Sequence, residues 1–470
     1  MPRWGARSIA RKSAGASALL WGMLCAAGLL CSVASGADDE TLRSRVDDLV
    51  RRLDAATRAE RSEAERSLIE LGPPALPLLP TEPRTTGHPL NRVRRTLDAR
   101  RQAELLAPAV FPVPGTEEAA NLEALFGRLQ ARFGDDFDAS AVPAANRALE
   151  WSPPAPLAFW DIVSRLERDR PLVARFDAVE RDGRTFERWR LTPREKGDTR
   201  VNLVPAGTFA IRVSRETAAD ASGKVRLGLQ VLSQPGVRGL LTFVNARNFK
   251  STTAHGGSRS PTTPEARYEL PWTSAGQSPR LLLEFGPPEA VATTALVRAD
   301  RWAGECEVIA AAGEDRFRFD EALAAKPSRP VVQRIGRTTT SVERPELEAR
   351  PDGMRARFVV LTTRHAEIAE TTHAGERIVP VVALESHQFG LVPHSARLVS
   401  RTTGRELLPA STVRAEFFAA GTTRAEYMFE AVPAPAGDWF LECATVAVIG
   451  RERVRFAADD VRSGDAGPAK

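Results

Sequence analysis

The chain has 470 residues, with 65 Lys and Arg against 60 Asp and Glu, a net charge of +5. Apolar residues make up 43% and charged residues 27%, a balance that excludes disorder over most of the length. Residues 1–36 hold Arg3, Arg7, Arg11 and Lys12 and no acid, so the remainder carries 61 basic against 60 acidic residues, and a nucleic-acid partner loses its main support.

Arg3 to Lys12 form a positive region, and residues 14–34 are uncharged and mostly apolar. Small residues Ala34-Ser35-Gly36-Ala37 follow, and Asp38-Asp39-Glu40 come next. This is the layout of a secretory signal over 1–36, with cleavage expected near Gly36 or Ala37. No later run reaches membrane-spanning length, so no membrane span is expected after removal of the signal. The expected location is outside the cytoplasm: periplasmic, cell-envelope or extracellular.

Residues 38–107 read as helical. Leu42, Val46, Leu49, Val50 and Leu53 recur at helical spacing. A second helix over 59–71 stops at Gly72 with Pro73-Pro74 behind it, and a third runs over 90–106. Residues 63–79, EAERSLIELGPPALPLL, resemble a HEAT repeat, in which one helix ends at a Gly and an Ala-Leu-Pro segment opens the next. One copy is visible, whereas a solenoid stacks at least three.

Residues 108–172 change to a small α+β pattern. A strand at Phe111 and Val113 precedes an amphipathic helix over 119–133, with Leu122, Leu125, Phe126 and Leu129 on one side. After two short strands, Leu157-Ala158-Phe159-Trp160-Asp161-Ile162-Val163 opens another helix. The order, with Pro-Leu-x-Phe-Trp at the second helix, resembles the short N-terminal domain of secretins and TonB-dependent receptors. That resemblance implies a protein-contact module without catalytic residues.

From Val173 the chain alternates with period two. Residues 173–180 and 184–191 flank Asp182-Gly183, a hairpin turn signal. Phe209, Ile211 and Val213 share one strand face, as do Val225, Leu227, Leu229 and Val231. Further strands are expected at 281–284, 305–311 and 316–319, so 173–325 reads as a β-rich domain. A linker with Lys326, Pro327 and Pro330 leads to a β-sandwich over 330–460, with strands at 355–361, 378–384, 396–400, 413–418, 427–431, 439–449 and 454–456. Residues 440–449 are apolar on both faces, which predicts a central strand with Cys443 inside. Residues 461–470 read as a disordered tail.

The fold class is therefore multidomain and mainly β. It comprises an N-terminal HEAT-like helical segment, a small α+β module and antiparallel β-sandwich-like regions. This order resembles uncharacterised exported bacterial multidomain proteins that join the same pieces. Matching stretches include LGLQVLSQPG at 227–236 and Gly207-Thr208-Phe209. The resemblance carries structural motifs and implies no activity.

There is no HExxH, G-x-S-x-G, P-loop or G-x-G-x-x-G motif, so no catalytic set and no cofactor are assigned. Candidate metal ligands are His365, His373, His387 and His394, with Glu367, Glu370 and Glu385 among them. No pair of these sits at i, i+4 of a helix or i, i+2 of a strand, so they read first as polar loop and edge residues. Asp135, Asp136 and Asp138 lack the glycine and terminal Glu of a calcium loop and read as a helix-end turn. Ser258 and Ser260 lie near His255 in a polar loop that supplies no rigid base. Cys306 and Cys443 are either a disulfide or two buried thiols.

The leading functional expectation is an exported, non-catalytic interaction or structural protein of the cell envelope. Its partner would be an unknown envelope protein or surface polymer. The alternatives are a hydrolase or metal-binding enzyme with a site in 365–394, and a surface glycan-binding module carried by aligned tryptophans.

Overall fold

The computed structural model describes residues 40–80, 88–112, 121–151, 155–181, 184–195, 202–215, 224–253, 257–272, 276–288, 300–320, 323, 330–364, 395–419 and 422–459. Strand predominates, with helices gathered in the N-terminal third. The chain divides into two compact units. One runs to Asp98 and includes Arg334–Gly336; the other holds Ala99–Gln333 and Arg337–Lys470.

The first unit is built on helices α1 (40–52), α2 (Arg58–Leu71) and the start of α3 (Pro89–Leu105). Thr57 caps α2: its hydroxyl accepts the Glu60 N–H at 3.2 Å and donates to the Glu60 carboxylate at 2.7 Å. The helix ends at Gly72, and a 3-10 segment Pro73–Leu78 follows. Val46, Leu49, Leu68, Leu76, Leu90 and Val93 anchor one apolar core. Arg92 binds the Glu65 carboxylate bidentately, both contacts at 2.8 Å, tying α2 to α3.

In the second unit, α4 (Leu122–Phe133) starts at Asn121, whose side chain accepts the Ala124 N–H at 2.9 Å. A 3-10 turn Gly134–Asp136 and a short helix α5 (Ala144–Arg147) follow. Helix α6 (Phe159–Asp169) buries Phe159, Trp160, Ile162, Val163 and Leu166 along one face. The predicted hairpin pairs Leu172–Arg181 with Arg184–Pro193, from Leu172↔Pro193 to Arg181↔Arg184, and Asp182 and Gly183 lie outside the described residues. The hairpin belongs to a separate sheet and packs in the α+β core, which Leu203, Ala210 and Leu232 of the following strands also enter. Phe137↔Trp189 pairs its second strand in parallel with Phe137–Asp138. Edge-to-face rings link Phe159 to Trp160 at 4.9 Å and Trp160 to Trp189 at 5.1 Å.

A four-stranded antiparallel sheet has the order Leu281–Phe285, Val225–Ser233, Phe209–Arg215, Asn202–Ala206. The apolar faces expected at 209–213 and 225–231 point into one core. That core is shared with an eight-stranded sheet contributing Val244, Trp302, Val308, Val454 and Phe456. A six-stranded sheet includes Gly353–Arg364, paired with Thr422–Val432, and buries Phe358, Val360, Tyr427 and Phe429. Its other face carries Arg355 and Arg357 against Glu430 and Glu426.

Strands Arg301–Phe319 (19 residues) and Trp439–Asp459 (21 residues) pair antiparallel from Arg301↔Asp459 to Phe319↔Leu441. Ordinary strands run to about six residues. The expected breaks at 312–315 and 450–453 are therefore absent, and the linker at 326–330 does not separate independent β regions. Residues 446–458 lie in the core expected of 173–325. Gly313 sits at the ribbon's middle with φ +66°, where the pairing skips one step. A Cβ there would lie 2.9 Å from Leu105 Cδ1. Only glycine meets both demands without strain.

The ribbon's register also decides the cysteines. Cys306 stands opposite Val454, and Cys443 opposite Phe317, eleven positions after Cys306. At about 3.3 Å per residue this separates them by roughly 35 Å along the strand. A disulfide tolerates a Cα separation of about 7 Å at most. Both are free, buried thiols, and burial pushes each up to about 12.

Candidate functional site

The second unit contains a recess of about 420 Å³ where the α+β core meets the ribbon. Four layers of local structure build it. Phe176 and Trp189, from facing strands of the hairpin, form an aromatic wall with ring centroids 5.1 Å apart. Ala311, Ala312 and Val446 make the floor beside Gly313. The turn Gln234-Pro235-Gly236 forms a third side. Gly276 closes the top, where a Cβ would lie 2.1 Å from the Phe176 ring. Only a residue without a side chain lets that ring lie flat against the backbone.

The Gln234 turn is tightly held. The Gln234 side chain accepts the Ala109 N–H at 3.0 Å and donates to the Ala107 carbonyl at 3.1 Å. Its backbone N–H donates to the Thr208 carbonyl at 3.0 Å, which also accepts the Trp160 indole N–H at 3.0 Å. Trp189 donates its indole N–H to the Ser233 carbonyl at 2.9 Å, and Ser233 Oγ donates to the Val237 carbonyl at 2.7 Å. Buried polar groups satisfied in this way fix a turn to one conformation. The stretches LGLQVLSQPG and Gly207-Thr208-Phe209 thus serve as the frame of the recess.

Asp136, Glu187, Arg238 and Glu314 are the charged side chains of its lining. Asp136 is open to solvent on one side but crowded on the other. Desolvation pushes its carboxyl up from the ordinary value, Asp135 and Glu314 push it further, and a hydrogen bond from the Gly236 N–H opposes them. Glu314 lies 3.8 Å from Arg316. Both signs of charge therefore reach the recess, and Arg316 offsets Glu314. The aromatic wall and apolar floor suit a ligand with an uncharged stem. Such a concave, mostly apolar space with a few placed charges is the usual form of a binding site.

Comparison with protein-family models, curated proteins and solved structures gave no match. The site's chemistry therefore stands on its own geometry.

His365, His373, His387 and His394 lie outside the described residues, as do Glu367, Glu370 and Glu385. The 1–36 segment, His255 and the 461–470 tail lie outside them too. Among the described residues no group of three or more His, Cys, Asp or Glu side chains converges as a metal site, and no helix is long and apolar enough to cross a membrane. Of the acidic trio, only Asp136 reaches the recess. Asp138 turns inward, accepting the Ser140 N–H at 2.7 Å and pairing with Arg188 at 3.0 Å. Ser258 sits in a two-residue strand, Ser258–Arg259, paired with Lys250–Thr252.

Trp160, Trp189, Trp272, Trp302 and Trp439 are buried and Trp151 is half-buried. The exposed, aligned tryptophans of a glycan-binding face are absent among the described residues. The basic stripe of α3 is met by acids. Arg92 pairs with Glu65, Arg100 with Glu104 at 3.2 Å and Arg101 with Asp315 at 2.5 Å. Sequence reasoning missed the recess because its lining comes from widely separated segments. The local signal it had was the Gln-Pro-Gly turn closing an apolar strand.

Proposed function

We propose that this chain is an exported, non-catalytic interaction protein of the cell envelope that docks a partner protein at the recess beside Gly313. The observation that carries the reading is the preformed recess walled by Phe176 and Trp189, with Asp136, Glu187, Arg238 and Glu314 in its lining. Its frame is rigid and no nucleophile–base pair faces it, which suits binding better than turnover. The positive and apolar N-terminal pattern supports export. The helix–Gly–Pro pattern of 58–78 supports the HEAT-like reading of the first unit. The α+β core of 108–172 supports its likeness to a protein-contact module. Two sheets facing one apolar core support a sandwich reading of the β region.

The test is crosslinked capture from envelope extract with the tagged full-length protein. Two charge reversals of exposed residues are compared: Glu314→Arg at the mouth and Glu348→Arg on the six-stranded sheet. A specific partner recovered with the unaltered protein and with Glu348→Arg, but lost with Glu314→Arg, supports docking at the recess. Recovery of background proteins alone, or equal recovery with both variants, overturns it.

A further inference from the structure

We propose a second site, separate from the recess and independent of the docking reading: a buried site for a small monovalent anion of the chloride class, held by Ser251, Trp302 and Arg259. It lies within the core that the four-stranded and eight-stranded sheets share.

Strand register brings the three residues into one row. Ser251 stands opposite Arg259 on one side and opposite Trp302 on the other. Directly paired residues of antiparallel strands present their side chains to the same face, with Cβ atoms about 5 Å apart. Trp302 and its next partner, Ala458, belong to the shared core, so the row faces inward. Ser251 is 0% exposed, Trp302 1% and Arg259 8%.

The two outer side chains reach the same stretch of the opposite sheet. Trp302 meets the Phe285 ring at an interplanar angle of 81°, with centroids 4.9 Å apart. Arg259 donates to the carbonyl of the next residue, Gly286, at 3.4 Å. Ser251 lies between them in the row. Its Oγ and the Trp302 indole nitrogen are both enclosed, and neither has a hydrogen-bond partner among the described residues. Two adjacent buried polar groups in that condition are an exception to the pairing that interiors normally achieve.

The donor set selects the ligand. An indole N–H and a guanidinium can only donate, and a serine hydroxyl can donate or accept. Among these three side chains a water molecule finds only the Ser251 oxygen to receive its protons. An anion accepts from all three. Charge points the same way. Asp300 attracts Arg259 and also pairs with Arg215 at 3.8 Å, so one carboxylate serves two guanidiniums. A buried anion needs a paired cation and hydrogen bonds together, and the row supplies both. The close spacing and the enclosure suit an ion of a single atom.

The test is urea denaturation of the full-length protein in sodium chloride and in sodium gluconate at equal ionic strength, gluconate being too large to enter. An ion that binds only the folded state stabilises it by mass action. In about 0.2 M chloride the folded-to-unfolded ratio should be about tenfold higher than in gluconate, as for a dissociation constant of about 20 mM. The double variant Ser251→Ala/Trp302→Phe should lose that response. It is compared with itself in the two salts, so a lower starting stability does not obscure the result. Glu348→Arg should keep the response. Crystals soaked in bromide should show anomalous scattering within hydrogen-bond reach of Trp302 Nε1 and Ser251 Oγ. Equal stability in the two salts, a response that survives the double variant, or ordered water without bromide at that place overturns the site.

Discussion

Glu167 and Arg212 grip the two polar groups of a single residue. The Glu167 carboxylate accepts the Ala174 N–H at 2.9 Å, and Arg212 donates to the Ala174 carbonyl at 2.9 Å. The two charges lie 3.7 Å apart. Together they do for the Leu172–Arg181 strand what a neighbouring strand would do, and they join it to α6 and to Phe209–Arg215. Burial pushes the Glu167 carboxyl up against the pull of Arg212, and it lowers Arg212 against the pull of Glu167.

Removing one member strands the other. Arg212→Met leaves a buried carboxylate without its cation and the Ala174 carbonyl without its donor. The expected loss of stability is about 3–5 kcal/mol, measured by urea denaturation. Glu167→Gln keeps an acceptor for the Ala174 N–H and should cost less. A loss below about 1 kcal/mol for Arg212→Met, the range of an exposed pair, contradicts the role given to it.

Gly313 joins the two halves of the ribbon at a positive φ. Gly313→Val introduces a β-branched side chain at positive φ and drives it into Leu105. Strain at such a position costs about 1–3 kcal/mol before the clash is counted. Because the ribbon lies in the core of 209–231 and its Val446 carbonyl accepts from Arg364 of the six-stranded sheet at 2.9 Å, both should lose protection together in hydrogen exchange. Selective loss of protection at 209–231, with 353–364 and 422–432 unchanged, would argue against one cooperative element.

Cys306 and Cys443 should be silent in the folded protein. Each thiol is buried and pushed up to about 12, so almost no thiolate exists at pH 8. Alkylation followed by peptide mass analysis should find both unmodified under native conditions and both modified in 6 M-range denaturant, about the concentration that unfolds ordinary domains. A disulfide-linked peptide pair containing 306 and 443 would contradict the register of the ribbon.

Asp136 should make stability depend on pH in a direction opposite to most carboxylates. Its ordinary value is 3.8, and in the folded protein it is raised, first by desolvation and then by Asp135 and Glu314. Below the ordinary value the group is protonated in both states. Between the ordinary and raised values the folded protein keeps a proton that the unfolded chain has lost. The stability linked to this group is therefore full below the ordinary value and is lost as pH rises through the raised one. Asp136→Asn should melt at a higher temperature than the unaltered protein at pH 7, and the gap should close near about pH 4. A lower melting temperature at pH 7 refutes the sign. Glu187 and Arg238, which share the mouth, are unaltered in both proteins.

Much of this fold was written in local pattern. Thr57 and Gly72 bracket α2 within one residue of the predicted span, because caps and stops act over a single turn. Phe209, Ile211 and Val213 alternate as predicted toward one core, while Ala210 between them is buried in the α+β core on the other face. The Asp182-Gly183 signal gave the hairpin but not its neighbours, since a turn says nothing of what its strands pack upon. The ribbon escaped for a related reason. Gly313 and the charged stretch Arg451-Glu452-Arg453 read as breaks, yet Glu307↔Arg453 and Val308↔Glu452 are paired rungs. Pairing across such distances leaves no mark in either segment alone. The recess escaped because Asp136, Trp189, Gln234, Glu314 and Val446 are neighbours only after folding.

The long ribbon also sets an order of events. Arg455 binds Glu305 across 150 positions of sequence, and the strand that carries it lies inside the core begun at Phe209. That core lacks its central strand until residues 446–458 have been made. Synthesis runs from the N-terminus, so the core begun at Phe209 waits for a strand made far later in the chain, while the helical core and the α+β core do not. A core built this way closes only once Arg301–Phe319 and Trp439–Asp459 have both emerged.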